Sequence, residues 1–160
     1  FLIRKINYDQ NTIKLITPSL YLKLYPKNQL IRPAPSSWGW KGYYEVWLNG
    51  SNDWIYPHLH RAQEIMANLA KKFKGIDGIK RRFLNQMARE LLLAQASDWA
   101  FMMKTGAFVE YARKRLITHL ERFYLLKNLL ERNFLNKEIL EDIESKDNLF
   151  PDLDYSLFRS

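Results

Sequence analysis

The chain has 160 residues, with 25 Lys and Arg against 17 Asp and Glu, a formal net charge of +8 and 47 % hydrophobic residues. A domain of this length buries roughly 70 % of the surface that its unfolded chain exposes, so it forms a core without crosslinks. The absence of cysteine excludes disulfides, thiolate metal sites and cysteine nucleophiles, and it favours a cytoplasmic location. Because no apolar run approaches the roughly 20 residues that span a bilayer, we predict no membrane contact. The first residue is Phe1, and we expect the sequence to be a piece of a longer protein.

The positive charge is unevenly distributed. Residues 1–50 carry 7 basic against 2 acidic side chains, residues 51–135 carry 15 against 8, and residues 136–160 carry 3 against 7. A basic helical module that binds RNA through residues 71–74 and 80–82 is therefore one alternative. We favour the simpler interpretation, in which these lysines and arginines complement a helix C-terminus and form solvated helix faces. On that basis no nucleic-acid partner is predicted.

Residues 1–52 are predicted to form an irregular segment that precedes the main helices. Residues 13–16 are a candidate short strand. Thr17 and Pro18 are typical of a helix start and predict a short helix over residues 18–25, which Pro26 ends.

Residues 27–52 are rich in proline and glycine, which excludes a long helix, although residues 43–48 are a second candidate strand. Four of the five tryptophans lie here or just beyond, at Trp38, Trp40, Trp47 and Trp54. Rings on loops commonly meet a flat ligand such as a sugar or a base, and the sequence alone does not choose between the two. The alternative is that these rings pin the irregular segment to the helices.

Helical periodicity then predicts three long helices, over residues 54–74, 79–96 and 107–132. Asn52 and Asp53 are the candidate N-caps of the first helix. The end of the second helix is apolar nearly all round, which predicts a central, buried position. Residues 53–133 should therefore form a helical bundle.

The last segment, residues 134–160, is predicted to contain a short acidic helix and an extended tail. Asn136 is the expected N-cap of the helix, which runs to about Ser145. The apolar residues of the tail predict that it packs onto its own domain or onto parts of a longer protein. The predicted fold is mainly α: a bundle of three long helices, an irregular aromatic N-terminal segment, a short fourth helix and a tail, together one domain over residues 1–160.

The sequence contains no recognisable catalytic motif or metal-ligand pattern. His58 and His60 are two residues apart on a helix and point to different faces, so neither a metal site nor a cofactor is predicted. Asp98, between Ser97 and Trp99, is the acidic residue that stands out. It is either a ligand-facing carboxylate or the N-cap of a helical segment that resumes at Trp99, with that ring in the core.

An ordered series of sequence blocks adds a family resemblance. The blocks are SSWG at residues 36–39, VWLN at 46–49, WIYPHLH at 54–60, ARELLLAQASDWAF at 88–101 and DNLFPDLDY at 147–155. Together they resemble the C-terminal helical domain of family 57 glycoside hydrolases of the 1,4-α-glucan branching enzyme type, once described as a domain of unknown function. The resemblance covers essentially the whole chain.

The resemblance implies a retaining glucanosyl transfer that forms α-1,6 branches, carried out by a Glu nucleophile and an Asp acid/base on a (β/α)7 barrel. No catalytic residue is therefore expected on this chain, and we expect the chain alone to be inactive. The implied substrate-binding residues are Trp38, Trp47, Asp98 and Trp99, on a domain that closes over its own barrel and an α-glucan. Trp40 and Trp54 are expected to be structural.

Two departures from the family pattern bear on specificity: Ala100 follows Asp98-Trp99, and Trp40-Lys41 separates the two glycines. A family 57 α-amylase or 4-α-glucanotransferase therefore remains an alternative to the branching enzyme.

Overall fold

The computed structural model describes residues 1–159, which fold into two compact units that meet in sequence at Pro35 and Ser36. The first unit contains α1 (Leu2–Tyr8) and α2 (Pro18–Leu24), neither of which has a buried residue. As predicted, α2 starts with Pro18 and is capped by the Thr17 side chain, which accepts a hydrogen bond from the Leu20 amide at 3.2 Å.

The candidate strand at residues 13–16 does not form, and residues 1–159 contain no strand at all. The Gln10 side chain instead accepts hydrogen bonds from the backbone amides of Thr12 at 2.9 Å and Ile13 at 2.8 Å. These contacts close a local turn, so the amide of Ile13 has no free hydrogen for a strand partner.

The second unit is a helical bundle, as predicted. Its helices are α3 (Ile55–Lys72), α4 (Gly78–Ala94), α5 (Ser97–Thr105), α6 (Val109–Glu131) and α7 (Lys137–Lys146). Two short 3-10 turns, Trp40–Gly42 and Tyr155–Phe158, lie before and after them. The bounds of the three long helices fall within two residues of the predicted ones, because each helix carries a periodic apolar stripe that meets the core.

The second predicted strand, over residues 43–48, is also replaced by turns. The amides of Trp47 and Leu48 both donate to the carbonyl of Tyr44, at 2.8 and 2.9 Å. These bonds form a tight turn in which Val46 is buried.

Helix α4 is the centre of the bundle and packs most extensively against α6. Its fully buried side chains include Phe83, Leu84, Met87 and Leu91, and each contributes about 1.5–3 kcal/mol to folding by leaving water. They meet a second group of buried side chains on α3, α6 and α7: Met66, Leu116, Phe123, Leu126 and Leu140. The prediction of a central second helix is confirmed.

The buried face of α4 also carries polar side chains. Glu90 and His119 are completely buried, and the Glu90 carboxylate lies 2.7 Å from Nδ1 of His119 on α6. Gln86 donates to Glu90 at 2.8 Å and to the backbone carbonyl of Asp147 at 3.0 Å. The Asp147 carboxylate in turn pairs with Arg122. We call Gln86, Glu90, His119, Arg122 and Asp147 the buried polar network; it joins α4, α6 and the end of α7.

The C-terminal tail packs onto its own domain, which was one of the two predicted outcomes. The amide of Tyr155 donates to Asn85 Oδ1 on α4 at 2.9 Å, and Arg159 Nε donates to the Ala70 carbonyl at the end of α3 at 3.2 Å. Arg81 and Asp154 form an ion pair at 2.7 Å. Tyr155 is buried as a result, so the tail closes one side of the core.

Helix α7 begins as predicted, with the Asn136 side chain accepting from the Ile139 amide at 2.9 Å.

Among the described helices, none combines the length and apolar character that a membrane crossing requires.

Candidate functional site

The tryptophan-rich segment is a tightly closed loop around Gly39. A Cβ built on Gly39 would lie 2.7 Å from the Tyr43 carbonyl oxygen, so only glycine fits this position. The Ser37 amide donates to the Gly42 carbonyl at 2.6 Å, and the Ser37 hydroxyl donates to the Tyr43 carbonyl. Gly42 has φ of +79°, in the left-handed region that glycine adopts without strain. The loop therefore presents the side chain of Trp38 outward on a fixed backbone.

Trp38, Trp47 and Phe101 form a three-ring group, which we call the aromatic cluster. The ring centroids of Trp38 lie 6.1 Å from Trp47 and 5.9 Å from Phe101, and those of Trp47 and Phe101 are 6.3 Å apart. Trp38 is 78 % exposed, whereas Trp47 and Phe101 are half-buried beneath it. Such a ring is an outlier for a folded protein, because it leaves a large apolar face in water.

The sequence interpretation singled out Trp38 and Trp47 but missed Phe101. Phe101 lies on α5, far along the chain from the loop, and nothing in its local pattern distinguishes it from a core residue. The available signal was its place at the end of the block at residues 88–101, which also contains Asp98 and Trp99.

Asn52 holds the loop and α5 together. Its completely buried side-chain amide donates to the carbonyls of Val46 at 3.0 Å and Ala100 at 3.1 Å, and its oxygen accepts from the Asn49 amide at 2.9 Å. The prediction that Asn52 or Asp53 caps α3 is wrong: Trp54 occupies the N-cap position and makes no side-chain cap. A cap would need the side-chain oxygen of Asn52 as an acceptor, but that oxygen already accepts from the Asn49 amide. The side-chain NH2 group satisfies the two buried carbonyls, which would be costly to leave unpaired.

Asp98 and Trp99 differ in exposure. Asp98 is exposed in the first turn of α5, where its charge complements the partial positive charge of the helix N-terminus. The alternative that it is an N-cap is wrong, because Ala96 occupies that position and the helix begins at Ser97. Asp98 and Phe101 are three residues apart on α5, so their side chains are neighbours on the helix surface. Asp98 thus lies at the edge of the aromatic cluster.

Trp99 is a core residue. It is 9 % exposed, its indole N–H donates to the Leu93 carbonyl at 2.8 Å, and its ring meets Tyr111 edge-on at 6.1 Å. This hydrogen bond links the end of α4 to α5. The structure therefore does not bring Trp99 into the aromatic cluster; the contacts of its ring fix the position of the helix that carries Phe101.

Trp40 and Trp54 also differ in how far each ring is exposed. Trp40 is 61 % exposed, with the Lys41 ammonium 5.9 Å from its ring. Trp54 is half-buried against the core, with the Arg113 guanidinium 5.9 Å from its ring. The packing of Trp54 agrees with a structural role, whereas Trp40 makes no comparable contact with the core among the described residues.

The side chains of Glu90, His119 and Asp147 are grouped closely enough to suit a metal ion, with candidate ligand atoms within 4.8 Å of one another. Arg122 pairs with Asp147, and Arg115 lies 3.7 Å from the same carboxylate. These guanidinium groups supply the positive charge that a metal ion would otherwise supply, so the group is better described as a network of ion pairs. His58 and His60 are both exposed and do not belong to it.

Comparisons with known proteins place this geometry in a family. A family profile described as "1,4-alpha-glucan branching enzyme, C-terminal" matches residues 58–158. The chain is 35 % identical over 147 residues to the 1,4-alpha-glucan branching enzyme TK1436 of Thermococcus kodakarensis, covering 88 % of this chain and 22 % of that protein.

Solved structures give the same result. The branching enzyme of Pyrococcus horikoshii matches 92 % of this chain and 29 % of its own, with 36 % identity and a TM-score of 0.80. The structure of TK1436 aligns with 93 % of this chain over 28 % of its own length, with 32 % identity and a TM-score of 0.81. The α-amylase AmyC of Thermotoga maritima aligns with 97 % of this chain over 28 % of its own length, with 38 % identity and a TM-score of 0.71.

The chain thus spans less than a third of the length of each of these relatives, and it aligns with them over nearly all of its own length. The resemblance inferred from the sequence blocks is confirmed: this chain belongs to the family of C-terminal domains of family 57 1,4-α-glucan branching enzymes.

Proposed function

We propose that this domain serves an α-glucan branching enzyme by presenting the aromatic cluster to a glucan chain. The observation that carries the proposal is the exposure of Trp38, whose ring is 78 % exposed while its backbone is held by the closed loop around Gly39. A sugar ring has an apolar C–H face that covers such a ring, while its hydroxyl groups remain free for hydrogen bonds. The structure of TK1436 is described as a complex with glucose, which supports a sugar as the ligand class.

The supporting residues have distinct roles in this proposal. Trp38 and Trp47 contact the glucan, and Phe101 supports both rings from α5. Asp98, exposed beside Phe101, accepts hydrogen bonds from sugar hydroxyl groups. Trp99 acts indirectly, because its buried ring and its hydrogen bond to Leu93 position α5.

The chemistry itself is proposed to reside on a catalytic barrel of the same protein, over which this domain closes. Retaining transfer needs a carboxylate pair about 5–5.5 Å apart in one cleft. The one close pair of buried carboxylates in the described chain, Glu90 and Asp147, belongs to the buried polar network and does not line a cleft. Glu90 bonds to Gln86 and His119, and Asp147 pairs with Arg122. We therefore propose that this chain alone is inactive. A cytoplasmic location is part of the proposal and rests on the absence of cysteine.

The alternative within the same family is hydrolysis or 4-α-transfer. It is favoured by the match to the α-amylase AmyC, which has the highest identity of the three solved structures described above. The RNA-binding alternative rests only on the basic residues 71–74 and 80–82. Two of these residues, Arg81 and Arg82, are paired with Asp154 and with Glu141 and Glu144 respectively, which reduces the charge available to phosphates.

The test is to incubate the full-length protein with amylose and to follow two products. New α-1,6 linkages are measured by proton NMR of the anomeric region, and new reducing ends are measured by a colorimetric assay. A branching enzyme raises the α-1,6 signal with few free reducing ends. Reducing ends without α-1,6 linkages would support the α-amylase alternative, and an unchanged polymer would contradict the proposal.

A further inference from the structure

Two adjoining depressions lie between α3 and α6 and share the side chain of Tyr124; we call them together the groove. The two helices are parallel, because Trp54 at the start of α3 meets Arg113 near the start of α6, while Lys72 and Glu131 at their ends line the same depression. Helix α3, which lines both depressions, has 18 residues and is roughly 27 Å long. The groove shares no lining residue with the aromatic cluster.

The first half of the groove, near the helix starts, has a volume of about 600 Å³. Its floor is apolar and aromatic, with the rings of Trp54 and Tyr124 beside the aliphatic side chains of Ile117 and Leu125. Ile117 is 43 % exposed and Leu125 is 42 % exposed. His58, Glu121 and Asn128 line the same half, and all three side chains are exposed. The combination of ring faces and hydrogen-bonding groups is typical of a small-molecule site.

The second half continues past Tyr124, which lines both halves, and has a volume of about 580 Å³. It is more polar, yet its charges are largely balanced. Arg61 pairs with Glu64 at 3.3 Å, and Lys127 pairs with Glu131 at 2.6 Å. The Lys72 ammonium lies 5.4 Å from the ring of Phe73. The groove as a whole therefore has little net charge despite the basic character of the chain.

This charge balance favours a ligand without net charge. A nucleic acid gains little from this lining, because Arg61 and Lys127 are already paired with carboxylates and the exposed carboxylate of Glu121 repels phosphates. A neutral chain with an apolar face and many hydroxyl groups meets no such penalty. Its C–H faces would cover Ile117, Tyr124 and Leu125, and its hydroxyl groups would bond to the polar side chains.

We propose that the groove between α3 and α6 is a second binding site for an α-glucan, one that holds a distant part of the polymer while the aromatic cluster engages the reacting part. The ligand class rests on the proposed function. Because the groove shares no lining residue with the aromatic cluster, we expect it to affect the binding of polymers and to have no effect on short substrates.

The test measures binding of the full-length protein to glycogen by affinity electrophoresis, in a Trp38→Ala background that weakens the aromatic cluster. Tyr124→Ala removes the ring common to both halves and should raise the dissociation constant about tenfold, since each 1.4 kcal/mol is a factor of ten. Tyr124 is half-buried, so a second variant avoids the core. Glu121→Gln with Asn128→Ala changes only exposed side chains and should weaken binding about fivefold.

The matched control is Glu110→Gln with Gln63→Ala, which makes the same chemical changes at exposed positions outside the groove. The control should bind glycogen like its parent. With Trp38 intact, the groove variants should also convert a short maltooligosaccharide at the rate of the wild-type protein.

Equal glycogen binding by the groove variants and the control, in a protein that acts on a short maltooligosaccharide, would overturn the second site and leave the proposed function standing. A wild-type protein that neither binds glycogen nor acts on any α-glucan would overturn both. Loss of RNA binding in the groove variants, with glycogen binding unchanged, would also overturn the second site.

Discussion

The closed loop around Gly39 and the bundle core differ in how the buried polar groups near them are used. Beside the loop, one buried side-chain amide, Asn52, joins the segment at Val46 to α5 at Ala100, while Trp38 stays exposed. In the core, the buried polar network joins α4, α6 and the end of α7 and exposes almost nothing. The difference shows that buried polar groups have two uses in this domain: one joins an irregular loop to a helix, and the other holds the helices and the tail in one arrangement.

The largest effect on stability is expected in the core. Glu90→Ala leaves His119 and Gln86 buried without their partner, and should lower the free energy of unfolding by about 3–5 kcal/mol. Urea denaturation followed by circular dichroism measures this loss. Glu110→Ala, an exposed change on α6, should cost less than about 1 kcal/mol and is the control. Similar losses of unfolding free energy for the two variants would show that the contacts of Glu90 stabilise the fold no more than those of an exposed side chain.

A smaller loss of stability with a larger functional effect is expected for Asn52→Ala. The variant leaves the carbonyls of Val46 and Ala100 unpaired and should cost about 2–3 kcal/mol. Because Asn52 ties the loop to α5, activity of the full-length protein on amylose should fall even where the variant is fully folded. Asn148→Ala, at an exposed position, is the matched control. Full activity of the folded variant would show that the loop does not need this amide.

The smallest expected effect is the change in the free energy of unfolding with pH. Burial raises the pKa of Glu90 above its usual 4.5, and hydrogen bonds from His119 and Gln86 offset this only in part. The folded protein therefore holds a proton that the unfolded chain releases, so stability falls as pH rises from about 4.5 through the pKa of the folded state. Glu90→Gln retains an acceptor for His119 without the charge. Its stability should decline less over this range than that of the wild type.

The comparison is made as a difference between the two denaturation curves at each pH, so that other titrating groups cancel. A wild-type protein that gains stability over Glu90→Gln as pH rises would contradict the assignment of a raised pKa to Glu90.

Sequence alone predicted the helices better than the site. The apolar stripes of α3, α4 and α6 fix their bounds because each stripe must face a single core, and the caps at Thr17 and Asn136 are local contacts that local sequence specifies. The two candidate strands are wrong because short runs of strand-favouring residues are equally compatible with turns, here closed by the Gln10 side chain and the Tyr44 carbonyl.

The errors at the site have a common physical cause. Asparagine is a common N-cap residue, so the local sequence favours a cap at Asn52. Its hydrogen bond to Ala100, 48 residues later, depends on the tertiary fold and cannot be read from the local sequence. Phe101 joins the aromatic cluster through the same long-range approach. Trp38 and Trp47 could be singled out early, because the glycines around them exclude a helix and the family resemblance marks both.

The central claim is that Trp38 serves ligand binding and Trp99 serves the fold, and one paired measurement tests it. In the full-length protein, Trp38→Ala and Trp99→Ala are compared for branching rate on amylose and for free energy of unfolding. Trp38→Ala should reduce the rate at least about tenfold while costing less than about 1 kcal/mol of stability, since its ring is mostly in water. Trp99→Ala should cost about 3–5 kcal/mol. Equal losses of rate and stability for Trp38→Ala would show that its ring is structural and would contradict the account.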